Sequence, residues 1–229
     1  MTRALAARDV RVIHRDDDLL VVDKPSGIAT TSPNGRECLV ELVRELEPRA
    51  SKHHPTSRLD AEVSGVVTFA LTERGIEHCL AMRRHGRYER LYLGLAAHAP
   101  NPRAGSWEGA IGVDPRDKKK RIVSDADDAR PSRTDYHVPR VLGAAALLAF
   151  RPRTGRTHQL RVHSSHAGSP LFGDVHYGGE RRIVLPDGRI VSAARVMLHC
   201  ALVSMPLPRG GHGRFVSPPT PDFRRAWVS

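Results

Sequence analysis

Apolar and polar positions alternate along this chain in short blocks whose period changes often. VRVIHRDDDLLVVDKP sets two apolar runs around the polar residues 15–18 and ends at Pro25, the pattern of two strands joined by a turn. PSGIATTSPNGR is a loop by its Pro, Ser, Gly and Asn content. Over residues 37–46, Leu39, Leu42, Val43 and Leu46 recur at the i, i+3, i+4, i+7 spacing of a short amphipathic helix, and Pro48 stops it. GVVTFALT has the branched and aromatic content of a buried strand. Thr72 then caps a helix running through Ile76, Leu80 and Met82, with Arg83 and Arg84 in its last turn and Gly86 after it. RYERLYLGLAA is a further strand. Its alternation sends Tyr88, Arg90, Tyr92 and Gly94 to one face and Leu91, Leu93 and Leu95 to the other, so Tyr92 lies away from the obvious core leucines.

The middle of the chain, NPRAGSWEGAIGVDPRDKKKRIVSDADDARPSR, is polar and punctuated by Gly and Pro, which predicts mostly loop with a short hairpin at most. TDYHVPRVL and ALLAFRPRTG read as strands, RRIVLPDGRIVS as a hairpin turning at Asp187-Gly188, and RVMLHCALVSMPLP as a last long strand. Strands outnumber helices and many are joined by tight turns. The expected fold is therefore α+β with a largely antiparallel sheet.

Composition narrows this picture. At 229 residues the chain falls in the range that large β-rich folds occupy as one unit, so residues 1–229 are expected to form a single domain. With 36 Lys and Arg against 25 Asp and Glu, the formal net charge of +11 favours a polyanionic partner, because each cation that neutralises a phosphate releases condensed counterions. Aromatic content of 5% weakens any scheme built on a platform of several exposed rings. Cys38, Cys79 and Cys200 are isolated from one another, with no CxxC, and read as reduced thiols in a cytoplasmic protein. MTRALAARDV lacks the apolar core of a signal peptide and GAAALLAF is too short to span a bilayer, so no membrane association is expected.

Two clusters could carry chemistry. In TSRLDAEVSG, Asp60 stands between a polar and an apolar segment, where an aspartate is ordinarily a turn or capping residue. FRPRTGRTHQLRVHSSHAGSPLFGDVHYG contains a basic Gly turn and then a helical segment over residues 158–166, with Gly168 as its stop. Within it His158, Arg161 and His166 cannot all be core. The histidines at 158, 163 and 166 fit no metal-binding pattern, and RTGRTHQ lacks the Gly-Lys-Ser/Thr of a phosphate loop. Asp60 and Glu62 share a face of an extended segment, which leaves two-carboxylate glycoside chemistry open on spacing alone.

TSRLDAEVSGVVTFALT resembles the HRLDxxTSGhhhhA signature (h, apolar) of the RluA-like RNA pseudouridine synthases. Further motifs of that family follow the same order: DDDLLVVDKPSGIAT resembles its opening strand and KPxG loop, ERLYLGL its tyrosine-bearing strand, and RTGRTHQLRVHSSHAGSPLFGDVHYG its C-terminal motif. GVDPRDKKKRIV and VMLHCALVSMPLP match weaker segments, and the likeness runs from Val10 to Asp222. The resemblance implies a mixed, mostly antiparallel curved sheet with peripheral helices and a basic cleft. It also implies an isomerase that turns uridines of ribosomal or transfer RNA into pseudouridine. The base is detached from the ribose at N1 and rejoined at C5, with no cofactor and no metal.

By the same resemblance Asp60 is the catalytic carboxylate and Arg161 the cation that favours its charged form, against the tendency of burial to keep a carboxyl protonated. Tyr92 stacks on the uracil and helps remove the C5 proton, while Leu160 packs on the base's other side. Arg58 fills the space the flipped base vacates, and Thr157 and His158 line the cleft. RRHGRYER, DPRDKKKR and RPRTGR are candidates for phosphate contacts. Ser57, Val63 and Gly94 depart from the family's usual histidine, threonine and alanine. Nine residues precede Val10, so an N-terminal S4-like RNA-binding module is not expected. The resemblance implies a monomer with no obligatory protein partner. Two rival readings are a catalytically idle RNA-binding or ribosome-assembly protein on the same scaffold, and a carboxylate-dependent nucleoside or glycoside hydrolase.

Overall fold

The computed structural model describes residues 5–32, 37–142, 145–185 and 187–228, so part of the expected loop PSGIATTSPNGR lies outside the described residues. After a 3-10 turn at Ala7–Asp9 come β1 (Arg11–Arg15), β2 (Leu19–Lys24), α1 (Leu39–Leu46), β3 (His54–Pro55), β4 (Ser64–Ala70) and α2 (Glu73–Arg84). Then follow β5 (Glu89–Ala96), β6 (Ala104–Asp114), β7 (Asp117–Val123), β8 (Arg130–Leu142), β9 (Ala145–Pro152) and α3 (Gln159–His166). A 3-10 turn at Val175–Tyr177 leads to β10 (Arg182–Val184), β11 (Ile190–Ser192), β12 (Leu198–Pro206), β13 (His212–Val216) and α4 (Pro221–Val228). The fold class is α+β as expected, and the strand pairs β1·β2, β2·β4, β12·β13, β5·β9, β9·β8, β8·β6 and β6·β7 are all antiparallel.

Two compact units divide the chain: Met1–Arg90 with Cys200–Pro218, and Leu91–His199 with Pro219–Ser229. In the first, β2 and β4 are central and covered on both faces, which is why LLVV and SGVVTFA are continuous buried runs. Of the face predicted from spacing, Leu39, Leu42 and Val43 of α1 are buried and Leu46 is partly exposed, while Val40 is buried in addition. The acidic turn after β1 is an anchor as well as a connection. Asp18 is buried and accepts from Thr72 Oγ1 (2.6 Å), Arg74 Nη2 (2.5 Å) and Arg209 Nε (3.1 Å). Burial opposes ionisation, but these donors bring its pKa down to about 2. Thr72 in turn caps α2 by accepting from the Gly75 N–H at 3.1 Å. Leu80, one of the apolar residues of that helix, is 48% exposed, while Gly75 and Cys79 are its buried positions. Gly65 has φ +115°, and a Cβ there would lie 2.2 Å from the Cys200 carbonyl oxygen, so no other residue fits where β4 runs against β12.

In the second unit the strand order is β5-β9-β8-β6-β7. The middle segment expected to be mostly loop is instead the long meander β6, β7 and β8. The expectation failed because these strands keep at least half their residues solvated and so carry charge and Gly without an apolar run. Their side chains stabilise them locally: Trp107 stacks on Tyr136 with centroids 4.1 Å apart. The core under β5 joins Leu95, Phe172, Met197, Phe223 and Trp227, with Leu93 partly buried against it. The chain also continues past the predicted last strand, through β13 and α4, and Phe223, Ala226 and Trp227 of α4 supply part of that core.

Candidate active site

Asp60 sits in the first unit, in the turn between β3 and β4, and is partly exposed. Its loop is braced through main-chain groups. The Lys24 side chain is fully buried and its ammonium donates to the carbonyls of Pro25 (3.0 Å), Ile28 (2.7 Å) and Ala61 (3.1 Å). Three protons thus meet three carbonyls, one of them next to Asp60. The Gly27 N–H also donates to the Ala61 carbonyl at 2.8 Å. Thr30 Oγ1 donates to the Leu59 carbonyl (2.9 Å) and accepts from the Leu59 N–H (3.0 Å). The Val63 N–H closes the turn on the Asp60 carbonyl at 3.1 Å.

Upstream, Arg83 Nη1 donates to the Thr56 carbonyl at 2.6 Å, and the Thr56, Thr68 and Tyr88 hydroxyls form a buried chain. The DKPSG loop and α2 therefore fix the backbone that carries Asp60. That is the arrangement a reacting carboxylate requires, since geometry must be set before the substrate arrives. Arg58, in the same segment, is exposed.

The other predicted residues lie in the second unit. Tyr92 is buried on β5 opposite Phe150 of β9. Its face is thus covered, while on the other face Leu95 is buried and Leu93 partly buried. Gly94, on the same face as Tyr92, has a steric cause: a Cβ there would lie 2.7 Å from Phe150 Cε2 and 3.0 Å from Leu171 Cδ2. Thr157 is exposed and His158, the N-cap residue of α3, is half-buried with φ 58°. His158 is the sole non-glycine residue with positive φ among the described residues. Strain of that kind persists where surrounding contacts over-determine the backbone. Helix α3 ends at Gly168 as predicted: the N–H groups of Gly168 and Ser169 return to the carbonyls of Ser165 (3.0 Å) and Ser164 (2.9 Å).

Leu160 and Arg161 are both buried in α3. Arg161 holds Asp174 in two parallel bonds, Nε to Oδ2 and Nη2 to Oδ1, each 2.7 Å. The sequence assigns no role to Asp174, Lys24 or Thr30. A buried cation satisfied by backbone carbonyls leaves no trace in sequence beyond the letter K in KPSG. Of the three departures, Val63 is a buried apolar residue, and the buried Ser57 hydroxyl finds no hydrogen-bond partner among the described residues. A groove along α2, lined by Arg74, Glu77, His78, Leu80, Ala81 and Arg84, contains none of the residues expected at the active site, and Arg84 alone belongs to a candidate phosphate segment, RRHGRYER.

A family model described as RNA pseudouridylate synthase matches residues 18–166, well over half of the chain, and the chain belongs to that family of isomerases. The match includes Asp60, Tyr92, Leu160 and Arg161. Ribosomal large subunit pseudouridine synthase C of Buchnera aphidicola is 28% identical over 212 residues, covering 91% of this chain and 67% of the relative. Ribosomal large subunit pseudouridine synthase D of Xanthomonas campestris is 32% identical, covering 93% of this chain and 66% of the relative. An uncharacterized RNA pseudouridine synthase of Chloroflexus aurantiacus is 33% identical over 72% of this chain and 49% of its own length. The chain thus spans between about half and two thirds of these relatives. Among solved structures, human RNA pseudouridylate synthase domain containing 1 superposes with a TM-score of 0.75 at 23% identity, covering 99% of this chain and 90% of the other. Domain containing 4 gives 0.74 at 22%, covering 95% and 92%. Both carry the same fold.

Proposed function

We propose that this protein isomerises uridine to pseudouridine in RNA of the large ribosomal subunit, with Asp60 as its catalytic carboxylate. The observation that supports this reading is the Asp60 loop: the segment resembling the family's RLD motif is braced by Lys24, Gly27 and Thr30 through backbone atoms, which sets the position of Asp60 before RNA arrives. The choice of ribosomal RNA follows the names borne by the relatives. By the family resemblance Arg161 supplies the cation for the reaction, Tyr92 and Leu160 hold the base, and Arg58, Thr157 and His158 contact the flipped nucleotide and its neighbours. Residues 1–229 act as one catalytic domain, as a cytoplasmic monomer. Among the described residues no helix is long and apolar enough to cross a membrane.

Glycosidic exchange from N1 to C5 leaves the oxidation level unchanged and displaces one proton from C5, so tritium release from C5-labelled uridine reports it directly. Wild-type protein is expected to release label from ribosomal RNA transcripts, Asp60→Asn to release none, and Arg161→Met to fold while losing nearly all turnover. Equal release by wild type and Asp60→Asn would refute the role of Asp60. No release from any RNA would favour an idle RNA-binding protein on this scaffold.

A further inference from the structure

The segment after α3 encloses Arg161 on two sides. Asp174, 1% exposed, chelates the Nε/Nη2 edge of the guanidinium, and the Tyr177 ring covers its face with the Arg161 Cζ 5.0 Å from the ring centroid. Both residues are themselves immobilised. The Asp174 carbonyl accepts from the N–H groups of Tyr177 (3.0 Å) and Gly179 (2.8 Å). The Tyr177 hydroxyl accepts from the Arg121 N–H on β7 (3.0 Å) and hydrogen-bonds His158 Nδ1 (2.7 Å). Ser165 Oγ donates to the Tyr177 carbonyl at 2.7 Å. The 3-10 turn is therefore tied to both ends of the helix that carries Arg161, and one of its ties holds His158, the residue with the strained backbone.

We propose that Asp174 and Tyr177 are positioning residues for Arg161: they set the plane and rotation of its guanidinium, and so the direction in which its charge acts during isomerisation. This rests on the reading of Arg161 given above. Both residues lie beyond the stretch matched by the family model. A lysine at 161 would keep the charge but not the two-point grip, since a guanidinium meets a carboxylate as a planar fork and an ammonium as a single point. The strained His158 also gains a role, because its bond to Tyr177 keeps the ring over Arg161.

The test is single-turnover tritium release at saturating enzyme, with RNA affinity measured separately by filter binding. Asp174→Asn is expected to slow the reaction about tenfold or more, as small misplacements of reacting groups do, while RNA affinity stays within about threefold. In an Arg161→Met background the same substitution is expected to change the rate less than about twofold, because a residue acting through Arg161 has nothing left to act through. Tyr177→Leu removes the ring without leaving a charge unpaired. Should Asp174→Asn not fold, as judged by circular dichroism, Tyr177→Leu decides by the same two comparisons. Slowing by the same factor in both backgrounds, or a wild-type rate in the single variants, overturns the positioning role while leaving Arg161 in place. A wild-type rate for Arg161→Met would instead overturn the reading on which the inference stands.

Discussion

His163 makes the stability of this protein depend on pH in a calculable way. The ring is 2% exposed, with Nε2 2.9 Å from Ser132 Oγ and Nδ1 3.0 Å from Thr134 Oγ1. Ser132 donates its proton to the Gly109 carbonyl, so its oxygen accepts from Nε2–H, and Thr134 donates to Nδ1. The neutral ring is thus fully satisfied. Burial, with a smaller contribution from the charge of His166, lowers its pKa from 6.5 to about 4. A folded pKa below the unfolded one means that no effect is felt above about pH 6.5. Between there and about pH 4 the unfolded chain takes up a proton that the folded chain refuses, so stability falls as pH falls. At about 1.4 kcal/mol per pH unit, the full loss is about 3 kcal/mol.

The carboxylates titrate in a lower window. Asp18 and Asp222, both held at about 2 against the burial that opposes ionisation, stabilise above their usual value of 3.8 and lose this contribution as pH falls toward 2. Urea unfolding of wild type and His163→Gln, followed between about pH 7 and pH 4, isolates the histidine. With a slope near 3 kcal/mol per molar urea, the wild-type midpoint should fall by about 1 M more than that of the variant. Glutamine offers both a donor and an acceptor to Ser132 and Thr134 and has no proton to gain. A difference between the two proteins that stays constant over this range would refute the reasoning.

Two further outcomes follow from the loop and strand geometry. Lys24→Met deprives three carbonyls of a charged donor; even with some recovery from the apolar side chain, it should cost about 3 kcal/mol or more of a total near 5–15, seen as a large drop in melting temperature. A wild-type melting temperature for that variant would show that the clamp carries no net stability. Gly94→Ala restores the family's usual residue but drives a Cβ into Phe150 and Leu171, and should cost about 1–3 kcal/mol by urea titration. Gly94→Ala with Phe150→Leu should recover part of that loss, and no recovery would mean the crowding lies elsewhere.

Much of this molecule was legible from pattern alone. The runs LLVVDK and GVVTFA, the Leu39/Leu42/Val43 spacing, the Thr72 cap and the Gly168 stop each express a local rule of period or capping, and each element formed where that rule placed it. The strands of residues 104–123 escaped because a solvated sheet needs no apolar signature, and α4 because its buried face is only Phe223, Ala226 and Trp227. The departure at Gly94 has its cause in Phe150, which fills the space a Cβ would need.

By itself the amino-acid sequence determined most of the elements and the family, and it singled out Asp60 as the candidate carboxylate, since these depend on residue type at fixed spacing. Only tertiary structure decided what holds those residues. Lys24 lies 37 positions from Ala61, and Arg161 lies 13 from Asp174. A hydrogen bond to a carbonyl places no demand on which residue bears it, and a buried ion pair is specified by approach in space, so neither can be read along the chain.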